Sequence, residues 1–331
     1  LPAFEKRSWA VGFVEDETPW CGGHVSARVR CVRANNPSPM TYVGTNSWIV
    51  AEPGATECVV IDPAPAGEQV QRILATCGEA ELRIGAIVAT HDHPDHIEGI
   101  PELVAATGAP VYAPRTSRIN QLLQKHGFAK CGGVKRACSE GAEDLGAVEA
   151  GSAGELNSGG LLHSCEEKAG WGADVQALPK GPFRPFEGAP EFEVIALPGH
   201  SEDSVGLLLP AEQSLFTGDV LFRHGPTVVF HPDGVLASYF ASLDTLERLV
   251  REGRVRRFYP GHGYPIDDPP PIIEATRKHR VDRLNQVKEA LNAGTPAEPD
   301  ALFDAVYQGV NPALRMPSIR SIRAQLKFLG I

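Results

Sequence analysis

The stretch "AIVATHDHPDHIEGI", residues 86–100, decides how the rest of the chain is read. A run of apolar and small residues opens into three histidines and two aspartates within six positions. A short apolar run of this kind is the signature of a strand buried on both faces. Side chains alternate along extended chain, so His91 and His93 project to the same side. Two imidazoles at i and i+2 can grip one ion. Asp95 and His96 lie on the turn beyond and can face a second ion close by.

The same transition occurs at three more places. His200 follows the apolar stretch of "FEVIALPGHS" (192–201), Asp219 ends "SLFTGDV" (214–220), and His262 ends "RRFYPGHG" (256–263). Glycine adjoins each of the three, giving the backbone room to turn the side chain inward. Five histidines and two aspartates are thereby brought to strand ends. Imidazole with carboxylate suits Zn²⁺, and also Fe or Mn. The expected cofactors are two divalent ions, Zn first. Such ions polarise a carbonyl or phosphoryl oxygen and lower the pKa of bound water from about 15.7 toward 7. Asp95 with Glu98 also fits a D-x-x-E capping box opening the helix at 97. That reading leaves His91 and His93 unexplained.

Outward from this core, strands and helices alternate. Residues 25–33 alternate as a strand, and "TYVGTNSWIV" (41–50) with "ECVVIDP" (57–63) reads as a strand pair. "AGEQVQRILATCG" (66–78) has helical spacing and ends on glycine, "IGAIVAT" (84–90) is a buried strand, and 97–108 is helical. A short strand "PVYAP" and a helix around 115–125 follow. The rhythm predicts an α/β layered fold. It lapses over 127–190, which is rich in Gly, Ala, Ser and Glu, and a structureless loop that long argues for an insertion, either a lid or a small subdomain. "SVGLLLP" (204–210) is a further strand and 235–251 a helix. Helical spacing then covers 272–294, about 298–308 and 316–329. A boundary at 268 divides a catalytic domain, 1–267 with its insertion at about 127–175, from a helical domain, 268–331.

Composition bounds the partners. The chain has 331 residues and a net charge of −10, with seven scattered cysteines. The acidic balance disfavours nucleic acid and anionic membrane as partners and favours a small-molecule substrate. The sharpest basic run, Arg251 to Arg257, reads as a helix end and turn. No apolar run approaches the roughly 18 residues of a membrane helix. No basic stretch followed by an apolar core opens the sequence, so no signal peptide is expected. The cysteine usage suits a cytoplasmic location.

"THDHPDH" resembles the H-x-H-x-D-H signature of the metallo-β-lactamase superfamily, and "PGHS", "TGD" and "YPGHG" follow in that superfamily's order. "NNPSPMTYVGTN", the segment "LFTGDVLFRHGPTVVFHPDGVLASYFASLDTL" and the helical tail are similar to its lactamase-β-like branch. The likeness covers about 25–126 and 176–331. It implies a four-layer αβ/βα sandwich with a small C-terminal winged-helix-like domain. By similarity His91, His93 and His200 hold the first metal, Asp95, His96 and His262 the second, and Asp219 bridges them. Asp95 also orients the attacking hydroxide. Departures are Ser201 for the usual Thr, Asn36 and Ser38 where relatives often carry Pro and Gly, and a tail short of a full wing. Residue 93 is His where flavodiiron relatives have Glu, which favours hydrolysis over oxygen chemistry.

The resemblance implies a dinuclear metal-dependent hydrolase that uses a metal-bound hydroxide on a small ester, thioester, lactone or related carbonyl compound. The alternative is a metal-dependent endoribonuclease on single-stranded RNA, which requires basic residues such as Arg115, Arg118, Lys125, Arg277, Arg280 and Arg283 on the metal face. A metal-silent binding protein would have lost ligands, and none is missing. Iron-dependent oxidative relatives often use one iron and fewer ligands. Cys131, Cys138, His163 and Cys165 match no standard zinc spacing. Arg223 and His224 are candidates to meet an anionic substrate or an oxyanion, and Tyr264 to donate to substrate. His231 marks a turn. Phe183, Phe186 and Phe192 either line a pocket or anchor the insertion, anchoring being the favoured reading.

Overall fold

Trp48 and its neighbours on the strand Asn46–Val50 show how the core is divided. Trp48 and Val50 face a core with Val59, Ile61, Phe216 and Tyr259, while Ile49 between them faces a second core with Val70 and Ile73. A strand buried on both faces has no solvent side, so its sequence is apolar throughout. This is why the runs at 48–50, 58–61 and 84–88 carry no polar residue.

The structure is a computed structural model that describes residues 20–128, 175–308 and 314–331. In chain order its elements are β1 (Gly22–His24), β2 (Val29–Arg33), β3 (Asn46–Val50), β4 (Glu57–Ile61), α1 (Glu68–Glu79), β5 (Arg83–Val88), α2 (Pro94–Ile97), α3 (Ile100–Thr107), β6 (Val111–Ala113), α4 (Ser117–Lys125), β7 (Val175–Ala177), β8 (Gly181–Phe183), β9 (Phe192–Ala196), β10 (Val205–Leu209), β11 (Ser214–Gly218), α5 (Leu236–Arg251), β12 (Arg257–Pro260), α6 (Pro269–Asn292), α7 (Pro299–Val306) and α8 (Arg315–Leu329).

Two sheets result. One runs β1-β2-β3-β4-β5-β6-β7 and the other β12-β11-β10-β9-β8. In the first, β1 to β4 pair antiparallel and β4 to β7 parallel. The parallel half needs crossovers, which the helices between β4 and β6 supply. In the second, only β11 and β12 are parallel. Trp48, Phe192, Phe216 and Tyr259 fill the space between the sheets. Helices α1, α3 and α4 cover the outer face of the first sheet, and α5 with the start of α6 covers the second. The order helix, sheet, sheet, helix is the expected four-layer sandwich. Among the described residues the C-terminal segment is helical. Val287 of α6 packs with Leu302, Phe303, Ile319 and Ile322 in a small cluster of its own.

Several local expectations are corrected. α6 begins at Pro269, three residues earlier than the spacing indicates, because proline, which has no N–H, is tolerated in a first turn whose N–H groups have no acceptor within the helix. Asp95 caps nothing: α2 opens with His93 at its N-cap and Pro94 at its first position, no side-chain cap bond forms, and α3 starts separately after Gly99. Phe183 and Phe192 belong to the core between the sheets, with Phe186 packed against it, so they anchor rather than line a pocket. Residues 129–174, with Cys131, Cys138, His163 and Cys165, lie outside the described residues.

Candidate metal centre

Each of the seven side chains follows the carboxyl end of a strand. His91, His93, Asp95 and His96 come after β5, His200 after β9, Asp219 directly after β11 and His262 after β12. Two glycines make the approach feasible. A Cβ at Gly261 would stand 2.4 Å from Asp219 Oδ1 and 2.6 Å from His96 Cε1. Gly199, beside His200, has φ +134° and lies against the Tyr239 backbone. The structure gathers all seven residues into two groups, His91 with His93 and His200, and Asp95 with His96, Asp219 and His262; within each, the donor atoms lie within 4.8 Å of one another.

The hydrogen bonds behind the rings fix which nitrogen is free. His93 Nε2 donates to Asp233 Oδ2 at 3.0 Å. His200 Nδ1 donates to the Val228 carbonyl at 2.8 Å. Thr90 gives its hydroxyl proton to Asp62 Oδ2 at 2.7 Å, so its oxygen accepts from His91 Nδ1 at 3.0 Å. His96 Nδ1 donates to Asp62 Oδ2 at 3.0 Å, and His262 Nδ1 to the Gly44 carbonyl at 3.4 Å. When the five rings are neutral, the remaining nitrogen of each therefore carries a lone pair turned into the site.

Those lone pairs meet one another. His93 Nδ1 is 3.1 Å from His91 Nε2 and 3.0 Å from His200 Nε2. His96 Nε2 is 3.2 Å from Asp219 Oδ1, and His262 Nε2 is 3.3 Å from both Asp95 Oδ2 and Asp219 Oδ2. Asp219 Oδ2 also reaches to 3.7 Å from His200 Nε2, which joins the two groups. His96 Nε2, His262 Nε2 and Asp219 Oδ1 are buried with no hydrogen-bond partner. Buried acceptors facing acceptors are costly unless a cation lies among them. The donor set, imidazole with carboxylate, fits a pair of divalent ions.

Electrostatics points the same way. Burial opposes charge on His262, but Asp219 and Asp95 override it and hold the ring at about 9. Burial likewise opposes charge on His96, and Asp219, Asp62 and Asp95 raise it well above its usual value. Burial works against the Asp95 carboxylate too, yet His96 and His262 hold it down to about 2. Burial pushes His200 down to about 4 and His91 well below the usual range. The acidic group thus favours positive charge, and burial keeps the His91 and His200 rings neutral, as ligands require.

A cavity of about 380 Å³ opens over His93, Asp95, His200 and Asp219. Its walls are Met40, Tyr42, Phe222, Pro226 and Phe230, with Arg320 from α8. Asn36 and Ser38, the departures in the N-terminal segment, build the turn behind that wall. Asn36 Oδ1 accepts from Thr45 N at 2.9 Å, and Ser38 Oγ accepts from Met40 N and Thr41 N at 3.1 and 3.0 Å. Arg223, His224 and Tyr264 are absent from the lining. Tyr264 packs instead against His224, Trp20 and the Arg223 guanidinium. His231 sits in a turn, its N–H on the Arg320 carbonyl at 3.3 Å.

Sequence reasoning missed Asp62 and Asp233. Asp62 follows β4 with φ 53° and accepts from Thr90 N at 2.8 Å as well as from the Thr90 hydroxyl and His96. Its signal was a carboxylate ending the apolar run "ECVVID". Asp233 lies 140 residues from His93 in a segment that reads as a plain turn.

The two sheets, the candidate ligand groups at their strand ends and the cavity over them define an α/β sandwich with a candidate metal site. The Metallo-beta-lactamase superfamily sequence profile matches residues 40–262, and the chain belongs to that superfamily. It is 26% identical over 310 residues to the "Beta-lactamase-like protein 2 homolog" of Caenorhabditis elegans, covering 92% of this chain and 85% of that one. It is 28% identical over 278 residues to a hydroxyacylglutathione hydrolase of Alkalilimnicola ehrlichii, covering 83% and 84%. An atrochrysone carboxyl ACP thioesterase of Aspergillus chevalieri is 27% identical over 268 residues, covering 81% and 67%. A solved metallo-beta-lactamase family protein of Thermus thermophilus shares the fold at TM-score 0.61 and 20% identity, covering 93% and 94%. With relatives named hydrolase and thioesterase, the chain is a metal-dependent hydrolase of this superfamily. No helix among the described residues is long and apolar enough to cross a membrane.

Proposed function

We propose that the chain is a dinuclear hydrolase of small acyl compounds, with thioesters first and esters and lactones beside them. The observation that carries this reading is the set of five ring nitrogens whose lone pairs turn inward onto each other and onto Asp95 and Asp219. His91, His93 and His200 would hold one ion, Asp95, His96 and His262 the other, with Asp219 between. When bound, two such ions supply an activated water at neutral pH and polarise the acyl carbonyl.

The chain's own residues do the rest. Asp95 is about one-third exposed and directs one oxygen at His262, so its carboxylate stands at the cavity floor to orient the attacking water. Tyr42, Phe222, Pro226 and Phe230 give an apolar wall that takes an acyl chain and excludes bulk water. The hydroxyacylglutathione hydrolase and ACP thioesterase relatives support an acyl-thiol substrate.

The ribonuclease reading finds less support. Arg277 pairs with Asp244 and Glu247, Arg280 is buried over Tyr239, and Arg283 lies over Tyr307 and donates to Gln286. Arg115 and Arg118 stand beside Asp92. These five cations are engaged within the fold, and Lys125 stands exposed at the end of α4, outside the cavity lining. The test is a panel of acyl-thioesters, p-nitrophenyl esters, lactones, bis-p-nitrophenyl phosphate and an RNA oligomer, run at defined zinc loading with Asp219→Ala as control. Turnover of acyl-thioesters that disappears in the variant is expected. Metal-dependent cleavage of RNA with no acyl substrate turned over would sink the proposal.

A further inference from the structure

We infer that Arg320 makes the outer wall of the cavity an anion subsite, so that the substrate carries a carboxylate or phosphate away from its scissile carbonyl. The inference rests on the acyl-hydrolase reading and narrows its substrate class.

Among the described residues lining the cavity, Arg320 is the only permanent cation. The carboxylates there are already spoken for: Asp95 and Asp219 face His262 and His96, and Asp233 accepts from His93. Arg320 makes no ion pair among the described residues, whereas Arg315, on the same helix, pairs with Asp300 and Asp304. In an acidic chain of net charge −10, Arg320 is an exposed cation with no carboxylate paired to it, placed beside the reaction site where a substrate anion can reach it.

Its geometry is set in advance. The guanidinium carbon lies 4.8 Å from the Phe230 ring centroid, so one flat face is covered while the N–H edge stays available. That edge is the part that meets carboxylate or phosphate in a two-pronged contact. The stem is held too. The Arg320 carbonyl accepts from His231 N at 3.3 Å, and Ser321 Oγ donates to the Val229 carbonyl at 3.3 Å. The same loop, 226–235, touches His200 through Val228 and His93 through Asp233. One short loop therefore fixes the span from guanidinium to reacting centre, and substrates whose anion fits that span gain most.

Two substrate pairs test the subsite and its source. Succinyl- against butyryl-N-acetylcysteamine places a carboxylate on the acyl side, and butyryl-4′-phosphopantetheine against butyryl-pantetheine places a phosphate on the thiol side. In the zinc-loaded wild type, kcat/KM for the charged member of at least one pair is expected to exceed its neutral partner by about ten- to a hundred-fold, the range of a charge-assisted hydrogen bond. In Arg320→Met that ratio should collapse toward one, and in Arg320→Lys recover only in part. The pair that responds tells carboxylate from phosphate. Calorimetry with the matching unreactive thioethers reads the same preference without turnover, so a failed hydrolase reading is seen separately from a failed subsite. Equal binding of charged and neutral thioethers by wild type, or a charged-to-neutral ratio unchanged in Arg320→Met, overturns the inference.

Discussion

Removing the Asp233 carboxylate should loosen the three-histidine site without unfolding the protein. Asp233 accepts the hydrogen bond of His93 Nε2 at 3.0 Å, and the side chains of the pair are 27% and 30% exposed. Partial exposure means that water replaces the lost acceptor, so the metal-free fold of Asp233→Ala should lose no more than about 1 kcal/mol. The effect on metal is larger. His93 presents Nδ1 because Nε2 holds the proton, and freeing the ring lets both tautomers and several orientations compete. Loss of such an orienting partner typically costs about 10–100-fold in affinity. Water access puts this case near the lower end, about tenfold, or roughly 1.4 kcal/mol. Asp233→Asn keeps an acceptor oxygen and should lose only a few-fold. The assay is zinc titration of the metal-free protein against a chromophoric chelator, with urea unfolding of each metal-free variant alongside. Zinc binding in Asp233→Ala equal to wild type, or Asp233→Asn as weak as Asp233→Ala, would refute the argument.

Three further outcomes follow from the same geometry. Asp62→Ala leaves the Thr90 N–H, the Thr90 hydroxyl and His96 Nδ1 without their acceptor in a fully buried place, and at about 1–3 kcal/mol for each unsatisfied group it should destabilise the metal-free protein by at least about 2 kcal/mol in urea unfolding. Gly261→Ala drives a methyl group to 2.4 Å from Asp219 Oδ1, so metal analysis should find less than the full complement of zinc per chain. His279 on α6 is held well below its usual value by burial first and then by Arg280, Arg283 and Lys278. Its folded pKa lies below the unfolded one, so its contribution is present above about pH 6.5 and is lost progressively as pH falls from there toward the lower folded value. His279→Gln should reduce the fall in stability below about pH 6.5 by up to about 1.4 kcal/mol per pH unit, measured by urea unfolding at several pH values.

The strand ends were legible because burial on both faces forces an apolar run, and a run that stops at His or Asp has no packing explanation. β1, β7 and β8 were not legible. Each has three residues and two of them contain glycine or proline, too little for a period to register. The Asp95 and Glu98 spacing misled for a different reason. A capping box is defined by which residue holds the N-cap, and Pro94 at the first helical position gave that place to His93. Spacing carries no such information.

The orienting partners mark a deeper limit. The donors of a zinc-type site are drawn from His, Cys, Asp and Glu, so their chemistry is written in residue type. What turns a donor needs only an acceptor. At His200 and His262 it is a backbone carbonyl, which every residue possesses, and at His93 it is an aspartate in a loop. These contacts are chosen by tertiary structure alone. Loop 226–235 supplies two of them on one side and is gripped by α8 on the other, through His231 N, Ser321 Oγ and the Arg320 stack on Phe230. The C-terminal helix therefore bears on the candidate metal centre without offering a ligand to it. That bearing depends on where the loop lies in space, and a sequence pattern that marks α8 only as amphipathic helix contains no trace of it.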